Sequence, residues 1–598
     1  MIVPMRKVTL LLSARQRTEA LKKLRRLGVL HVANVQPPKH ESIQSLQDEL
    51  AEIDRGLELL PPGVPESIPE SARERLDDEP LQIARMIDGY DQSRANLASE
   101  LAEYRDIRSW YDRWGPVSHD DIEILRRAGI LVRLYVADKR SLKFLPPEAQ
   151  IQIVRQEAGT VYFALFCEDP GHKLPFKEQL VPRIEMADLD RLIARLEEQI
   201  AEVDELIAGL AAARDKLAAH RADLLQRLEM QEVLHGMGAE ERFVWLQGFC
   251  PARIVPQLTA AAEENGWAWI VAEPDPDDDA PTLVENPKWL RIVQPLFDFL
   301  GTLPGYREFD ISFPFLLFFS LFFAMIVSDA GYGLVFVVAA FIASRKAGPE
   351  APKEAFFLVY VLGGATMLWG LLSGNWFGYE DIGRLPFFNW ALIDSIDAFS
   401  DTNQNTLMYL CFLIAVIHLS VAHALRAWRQ INTLKAIAEL GWIAIIWTLF
   451  FVAGQLVLGE GYEAPTFTGL LFAGGSAAIL LFANFRKNIL TGILITLGDL
   501  PLSIISSFSD VVSYLRLFAV GYASVIVAAS FNDMALAGGI SGPVAGLGAA
   551  LILLLGHSLN IVLCLMGVIV HGVRLNLLEF SGQLGMQWSG REYRPFSE

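Results

Sequence analysis

The sequence predicts an α-helical membrane protein that carries an N-terminal cytoplasmic α+β domain. Residues 306–580 are dominated by apolar side chains, whereas residues 1–305 have the mixed polarity of a water-soluble domain. The apolar half divides into eight hydrophobic stretches, each of which can be drawn as a transmembrane helix. The last two stretches exceed the length that a perpendicular crossing needs, which predicts long and tilted helices.

The soluble half is predicted to be an arm with a strand-containing lobe at each end. Short strands are expected near 6–12, 28–35, 130–137 and 150–167. Apolar residues recur at alternating spacings of three and four in 41–112 and 187–232, which is typical of a coiled coil. Antiparallel pairing of these two stretches would join a distal lobe at 115–182 to a proximal lobe built from 1–40 and 240–300. The alternative is a coil that pairs two copies of the chain.

The charges of the loops predict how the membrane half is oriented. The expected spans are 311–328, 330–345, 356–378, 405–424, 437–459, 466–484, 496–532 and 544–578. Loops that this count places inside the cell carry basic residues, namely Arg345, Lys346, Lys353, Arg426, Arg429, Lys435, Arg486 and Lys487. The opposite loops carry acidic residues, namely Glu380, Asp381, Asp394, Asp397, Asp401, Glu460 and Glu463. This bias predicts a multi-pass protein with both termini in the cytoplasm, ending in a short tail at 581–598.

Composition and motifs exclude several classes of function. The formal net charge of −19 argues against nucleic acid as a partner. The sequence has no Gly-Lys dipeptide, which excludes a phosphate-binding loop of the Walker A type. It also lacks His-Glu-x-x-His, Cys-x-x-Cys and Gly-x-Ser-x-Gly motifs, and its four cysteines are scattered. We therefore expect no catalytic site, no metal and no cofactor in this chain.

Two arginines inside apolar helices, Arg516 and Arg574, are the strongest functional signals. A guanidinium stays charged at ordinary pH, so it persists in a membrane only beside a polar interior, an aqueous cavity or a carboxylate. The alternative is that the side chain reaches the lipid headgroups, for which Arg574 is better placed because it lies nearer a helix end. Asp510 precedes Arg516 by six residues, about 240° around an ideal helix, so the two are not expected to pair directly.

Polar and small residues form a stripe on each of the two arginine-bearing helices. The last helix carries His557, Asn560, Cys564, Gly567, His571 and Arg574 at spacings of three or four. The preceding helix carries Ser506, Ser509, Ser513, Arg516 and Ala523. Two such stripes indicate an ion path, and helix-packing hydrogen bonds are the alternative for each residue taken singly. Asp329 has a similar ambiguity, since it is either a functional intramembrane acid or a turn residue beside Gly331.

A set of short stretches in a fixed order along the whole chain carries a family resemblance. The membrane half contains "PFLLFFSLFFAMIVSDAGYG", "SDVVSYLRLFAVG", "GHSLN" and "HGVRLNLLEF", the tail contains "RPF", and the soluble half contains "WLQGFCP" and "APTLVENP". Together they resemble subunit I, also called subunit a, of the prokaryotic V/A-type rotary ATPases.

The resemblance implies a membrane stator that couples transport of H⁺ or Na⁺ to ATP synthesis or hydrolysis against a rotating ring of proteolipid subunits. It implies that Arg516 and Arg574 face the ring carboxylates between two offset half-channels. A fixed positive charge lowers the pKa of a nearby carboxyl group and repels a leaking cation. His557, Asn560 and His571 are candidates for lining one half-channel. The remaining half-channel candidates are Ser509, Ser513, Tyr514, Asp510 and Glu579.

The resemblance also implies partners and a location. The expected partners are the proteolipid c/K ring, peripheral stalk subunits of the E and G type, a central-shaft subunit of the C/d type, the lipid bilayer and, indirectly, the catalytic A/B head. The expected location is the prokaryotic plasma membrane. Eukaryotic relatives have a glutamate and a histidine where this chain has Cys564 and Ser524, so the half-channel chemistry departs from theirs. The alternative function is a stand-alone secondary transporter or channel whose intramembrane charges bind substrate directly.

Overall fold

The protein is described by a computed structural model that covers residues 1–65, 67–146, 149–157, 159–169, 173–348, 351–459, 462–484, 489–537, 539 and 542–597. The loop charges predicted at Glu460, Arg486 and Lys487 lie outside these residues. Within them, the N-terminal half mixes strands with long helices and the C-terminal half is helical.

The elements of the soluble half alternate along the chain. The strands are β1 (Met5–Ser13), β2 (His31–Ala33), β3 (Leu131–Asp138), β4 (Gln150–Glu157), β5 (Thr160–Cys167), β6 (Lys177–Gln179), β7 (Gly238–Ala239), β8 (Phe243–Pro251) and β9 (Ala268–Ala272). The helices are α1 (Arg17–Leu27), α2 (Glu41–Leu59), α3 (Glu70–Arg73), α4 (Pro80–Trp114), α5 (His119–Arg127), α6 (Met186–Leu210), α7 (Arg214–Gly236), α8 (Val255–Glu264) and α9 (Gln294–Leu300).

One antiparallel sheet joins strands from both ends of the soluble half. Its order is β2-β8-β1-β9, with β7 paired to β8. Val8, Leu10 and Leu12 alternate along β1 and are buried against α1, and Phe596 of the C-terminal tail enters the same core. The period-two burial is that of a sheet with one covered face. Strands from both ends of the soluble half therefore share one sheet, while the division of this half into lobes stays a prediction.

The second sheet, of order β4-β5-β3-β6, lies at the other end of the long helices. Strands β4 and β5 form a hairpin that turns at Gly159, whose φ of +91° favours glycine. Tyr135, Phe163 and Leu165 are buried within it. The single strand expected near 150–167 is therefore two strands joined by a tight turn.

The long helices pack along one another, α4 with α6 and α2 with both α4 and α7. The prediction of one α-helix over 187–232 was wrong in one respect, because a short 3₁₀ helix at Ala211–Ala213 lies between α6 and α7. Arg214 begins α7 and donates a 2.6 Å hydrogen bond to the carbonyl of Leu60, next to the end of α2. A polar residue interrupts the apolar seam here because it satisfies a helix terminus. The coiled coil stays a prediction.

The membrane half consists of helices that pack around one large apolar core. They are α10 (Ser312–Val327), α11 (Ala330–Lys346), α12 (Lys353–Leu372), α13 (Glu380–Gly383), α14 (Gln404–Arg429), α15 (Lys435–Leu458), α16 (Thr468–Phe482), α17 (Ile489–Ser513), α18 (Leu515–Leu536), α19 (Pro543–Gly567) and α20 (Ser581–Leu584).

Five helical segments within the described ranges are long and apolar enough to cross a membrane, or six if the bent pair α10–α11 is one span. Helices α10 and α11 meet at a bend of 120°, and α16 is a shorter apolar helix. The final two segments, Leu490–Leu536 and Pro543–Leu584, contain 47 and 42 residues. Their unusual length agrees with the sequence, whereas the count of eight spans and the tilt stay predictions.

Two details of the membrane half refine the sequence reading. The span predicted at 356–378 ends at Leu372, because Gly374 and Gly378 adopt positive φ and turn the chain back. Asp329 caps α11 by accepting the backbone N–H of Tyr332 at 3.1 Å, and it also accepts the N–H of Phe377 at 2.9 Å. Asp329 is therefore a capping residue at the bend between α10 and α11.

Candidate functional site

The two arginines meet at a single carboxylate. Arg516 Nη1 lies 3.4 Å from Glu579 Oε1, and Arg574 Nε lies 3.3 Å from the same oxygen. The Glu579 side chain is 4% exposed, whereas those of Arg516 and Arg574 are 30% and 50% exposed. The carboxylate is therefore enclosed and the cations extend from it toward the protein surface. We call these three residues the charge triad.

A local change of helix type brings Arg574 to Glu579. In an α-helix, residues five apart point about 140° away from each other. The backbone at Val568–Gly572 and at Leu575–Phe580 is instead π-helical. A π-helix bonds residues five apart, so it places them one above the other. Wide turns of this kind are often found at functional sites, and this one sets the geometry of the triad.

A cluster of aromatic residues, which we call the aromatic anchor, lies next to Arg516 at the start of α18. Tyr514 lies at the break between α17 and α18 and is buried. Its hydroxyl shares a 2.7 Å hydrogen bond with His418 Nδ1. The His418 ring is stacked between Phe318 and Phe580, with centroid distances of 3.9 and 4.2 Å. This anchor fixes the start of α18 two residues before Arg516 and touches the residue that follows Glu579.

A buried polar chain, which we call the first network, leads away from the triad. Gln583 Nε2 donates to Asp510 Oδ2 at 2.6 Å, and His423 Nε2 donates to Gln583 Oε1 at 3.0 Å. His423 Nδ1 faces Glu439 Oε2 at 2.7 Å, and Arg426 pairs with Glu439 at 3.0 Å. The chain thus runs without interruption from Asp510 through Gln583 and His423 to Glu439.

A second network occupies the far end of α18 and α19. His557 Nε2 donates to Asn532 Oδ1 at 3.1 Å, and its Nδ1 lies 2.7 Å from the Tyr332 hydroxyl. Asn560 donates to that hydroxyl at 3.1 Å and to the carbonyl of Ser524 at 3.0 Å. Asn532 follows Arg516 by 16 residues, about 24 Å along an ideal helix. The two networks therefore lie on opposite sides of the triad.

The remaining residues that the sequence singled out lie in different surroundings. Ser524 and Cys564 hydrogen-bond to each other at 3.0 Å beside the second network. Ser513 donates to the carbonyl of Asp510 at 2.7 Å, which is a bond within its own helix. Ser509 is exposed, and His571 is half-buried near the triad. The structure thus brings His557 and Asn560 together, while Ser509, Ser513 and Tyr514 join neither network.

Sequence reasoning missed several residues of these networks. His423, Glu439, Gln583 and Tyr332 were not candidates, although His423 and Glu439 are ionisable groups in apolar helices, which is itself a functional signal. Gln583 and Tyr332 gave no such signal, because their roles depend on which helices pack together. Within the part of the chain that the structure describes, no group of three or more His, Cys, Asp and Glu side chains could hold a metal ion.

The fold and the site define a membrane protein with a large strand-containing soluble domain and intramembrane charges. The chain is 30% identical to V-type ATP synthase subunit I 1 of Treponema pallidum (strain Nichols) and to V-type ATP synthase subunit I of Borreliella burgdorferi, with full coverage of both partners in each alignment. It belongs to the subunit I family of V/A-type ATP synthases, the membrane subunits of rotary ATPases.

Two further comparisons are weaker than these two. A-type ATP synthase subunit I of Methanocaldococcus jannaschii is 25% identical over 68% of this chain and 63% of its own length. A crystal structure of the cytoplasmic N-terminal domain of subunit I, homolog of subunit a, of V-ATPase aligns with 45% of this chain and all of its own length. Its identity of 13% and TM-score of 0.20 are too low to compare the folds. No family model matches the chain.

Proposed function

We propose that this chain is the ion-conducting stator subunit of a V/A-type rotary ATPase, which couples H⁺ or Na⁺ transport across the plasma membrane to ATP hydrolysis or synthesis. The observation that carries the proposal is the charge triad, with a polar network on either side of it. A stand-alone transporter would not need two polar networks that are separated by a cluster of charges, and it would not need to belong to this family.

The triad would act on the carboxylates of a rotating proteolipid ring. Arg516 and Arg574 are partly exposed and share one partner, so they can present positive charge to a group on another subunit. A carboxyl group beside two guanidinium groups favours its ionised form and must release its ion. The same charge repels a cation that crosses without the ring. Transport would then require rotation.

The two networks would line the two half-channels. The first network reaches Arg426 in the last turn of α14, the end of that helix that the basic-residue bias places in the cytoplasm, so it would serve the cytoplasmic side. The second network contacts the segment of Phe377, where the carbonyl oxygen accepts a bond from Asn532, just before the acidic loop predicted on the opposite side. His557 and Asn560 would line that outer half-channel.

The soluble half would bind the other stationary subunits of the rotary ATPase and the central shaft. Its four long helices carry a sheet at each end, a shape suited to resisting torque rather than to catalysis. The lobes would bind peripheral stalks of the E and G type and the central-shaft subunit of the C/d type, with the A/B head connected through them. Both termini would face the cytoplasm.

Replacement of Arg516 in the assembled complex tests the proposal. We expect Arg516→Ala to abolish ATP-driven ion uptake into reconstituted vesicles while the detached soluble sector still hydrolyses ATP. The matched control is Arg345→Ala, because Arg345 lies in the last turn of α11 and stacks on Phe341 of its own helix. Uptake that survives Arg516→Ala at the control's rate would contradict the proposal and favour a stand-alone transporter.

A further inference from the structure

Glu579 neutralises half of the positive charge that the two arginines bring to one place. Its Oε1 accepts one contact from each guanidinium, at 3.4 Å from Arg516 and 3.3 Å from Arg574. Two cations and one anion leave the triad with a formal charge of +1, which one further carboxylate would balance. A residue that only filled space between the helices would not need a charge at this position.

The arginines of the triad have N–H donors that Glu579 does not use, and a second carboxylate could accept from them. A guanidinium has five N–H donors; among the described residues Arg516 donates one of them to Glu579, and Arg574 Nε forms an ion pair with the same carboxylate oxygen at 3.3 Å. Glu579 Oε2 is buried and has no hydrogen-bond partner in the described ranges. A buried, half-paired carboxylate is costly to maintain. The arrangement therefore holds its cations loosely enough for exchange.

We propose that Glu579 is a resident counter-ion that positions Arg516 and Arg574 as a pair and weakens their hold on each passing ring carboxylate, so that the carboxylate is released quickly. This inference rests on the proposed function. Without Glu579, the ring carboxylate would face a charge of +2 in place of +1, and its ionised form would be held more tightly. Glu579 is then a positioning residue that sets the rate of release rather than the presence of transport.

Other titratable groups near the triad must be considered in any test that varies pH. Asp510 and Tyr514 face Glu579 from α17 and from the break before α18. His571 faces both arginines from the helix of Arg574. All three remain in place when only Glu579 is changed, so a change in pH dependence between variants reports the charge of the triad.

The test compares Glu579→Gln with Glu579→Asp in the complete rotary complex, in vesicles with ATP-driven uptake as the readout. For Glu579→Gln we expect uptake to fall about tenfold and the alkaline limb of its pH profile to move to lower pH by about one unit, since added positive charge lowers the pKa of the ring carboxyl. If the ion is Na⁺, the half-saturating Na⁺ concentration should change instead. Glu579→Asp keeps the charge and should shift the profile less. The control is Glu354→Gln, at an exposed position of α12.

The outcomes separate this inference from the proposed function. If Arg516→Ala abolishes coupling but Glu579→Gln leaves the profile in place, with or without a lower rate, the counter-ion role is wrong and the stator role stands. If neither substitution affects coupled uptake, the proposed function itself fails. Should Glu579→Gln prevent assembly, Glu579→Ala tests the same loss of charge, and an ion dependence equal to that of the Glu354→Gln control would overturn the inference.

Discussion

At the scale of single residues, His418 explains how an apolar core can fix the position of a charged group. Its ring is fully buried between Phe318 and Phe580, and one nitrogen bonds to Tyr514. The other nitrogen, Nε2, is buried without a partner among the described residues. The hydrogen bond to Tyr514 is therefore the polar contact that keeps this ring oriented, and through Tyr514 it fixes the first turn of α18.

Removal of that contact should destabilise the membrane domain. In Tyr514→Phe the second nitrogen of His418 would also be left unpaired in a buried site, which costs about 1–3 kcal/mol. We expect the free energy of unfolding in mixed detergent micelles to fall by that amount. The control is Tyr379→Phe, because the Tyr379 side chain is exposed. Equal unfolding free energies for the two variants would contradict the anchoring role.

The sequence alone identified the two arginines as candidate functional residues, but it did not identify Glu579 as their partner. Arg516 and Arg574 stand out because a charge in an apolar run is costly wherever the helix lies. Glu579 was expected only as a half-channel candidate, and on an ordinary α-helix a spacing of five would point it away from Arg574. Only the π-helical turns reverse that, and nothing in the residues between them predicts the turns. The link from His423 to Asp510 likewise needs the packing of several helices.

At the scale of elements, α18 owes its position to close backbone contact with α10. A Cβ atom at Gly521 would collide with the carbonyl oxygen of Met325, which is backbone and cannot rotate away. Gly521 lies five residues after Arg516, on the same helix. The glycine is therefore required by the approach of two helices and not by a turn.

Gly521→Ala should push α18 away from α10. Overpacking of this kind costs about 1–3 kcal/mol, and the shift should also lower coupled transport by moving Arg516 relative to Glu579. The measurements are the free energy of unfolding in micelles and ATP-driven uptake. Gly548→Ala on α19 is the stability control, because its Cβ would meet open space and alanine favours a helix by up to about 1 kcal/mol. Equal behaviour of the two variants would refute the close-contact argument.

At the scale of the whole molecule, the C-terminal tail connects the two halves. The N–H groups of Gln587 and Trp588 donate to Glu308. Further along, the N–H of Tyr593 donates to the carbonyl of Thr282 at 3.1 Å, and that of Phe596 to the carbonyl of Leu30 at 2.9 Å. Phe596 is buried in the core of the first sheet. The sequence suggested a short tail but not its docking, since "RPF" has no pattern that names a partner.

The docked tail should loosen in acid. Burial lowers the pKa of His31, although its hydrogen bond to the Arg594 backbone opposes this shift. The undocked state therefore binds a proton more readily, and docking is fully stable above a pH of about 6.5 and weakens as the pH falls below it. We expect amide exchange at Arg594 and Phe596, corrected for the intrinsic rate, to rise between pH 7.5 and 5.5. His31→Gln should remove this pH dependence, and protection that stays constant in the unchanged protein would refute the expectation.

The path of the tail has a mechanical consequence. The helix that carries Arg574 continues through α20 directly into the docked C-terminal tail, and Met586 is buried just after α20. A sideways push on that helix would therefore pass through covalent backbone into the first sheet of the soluble half. Elastic deformation of this chain under such a load would then fall mainly on the long soluble helices beyond that sheet.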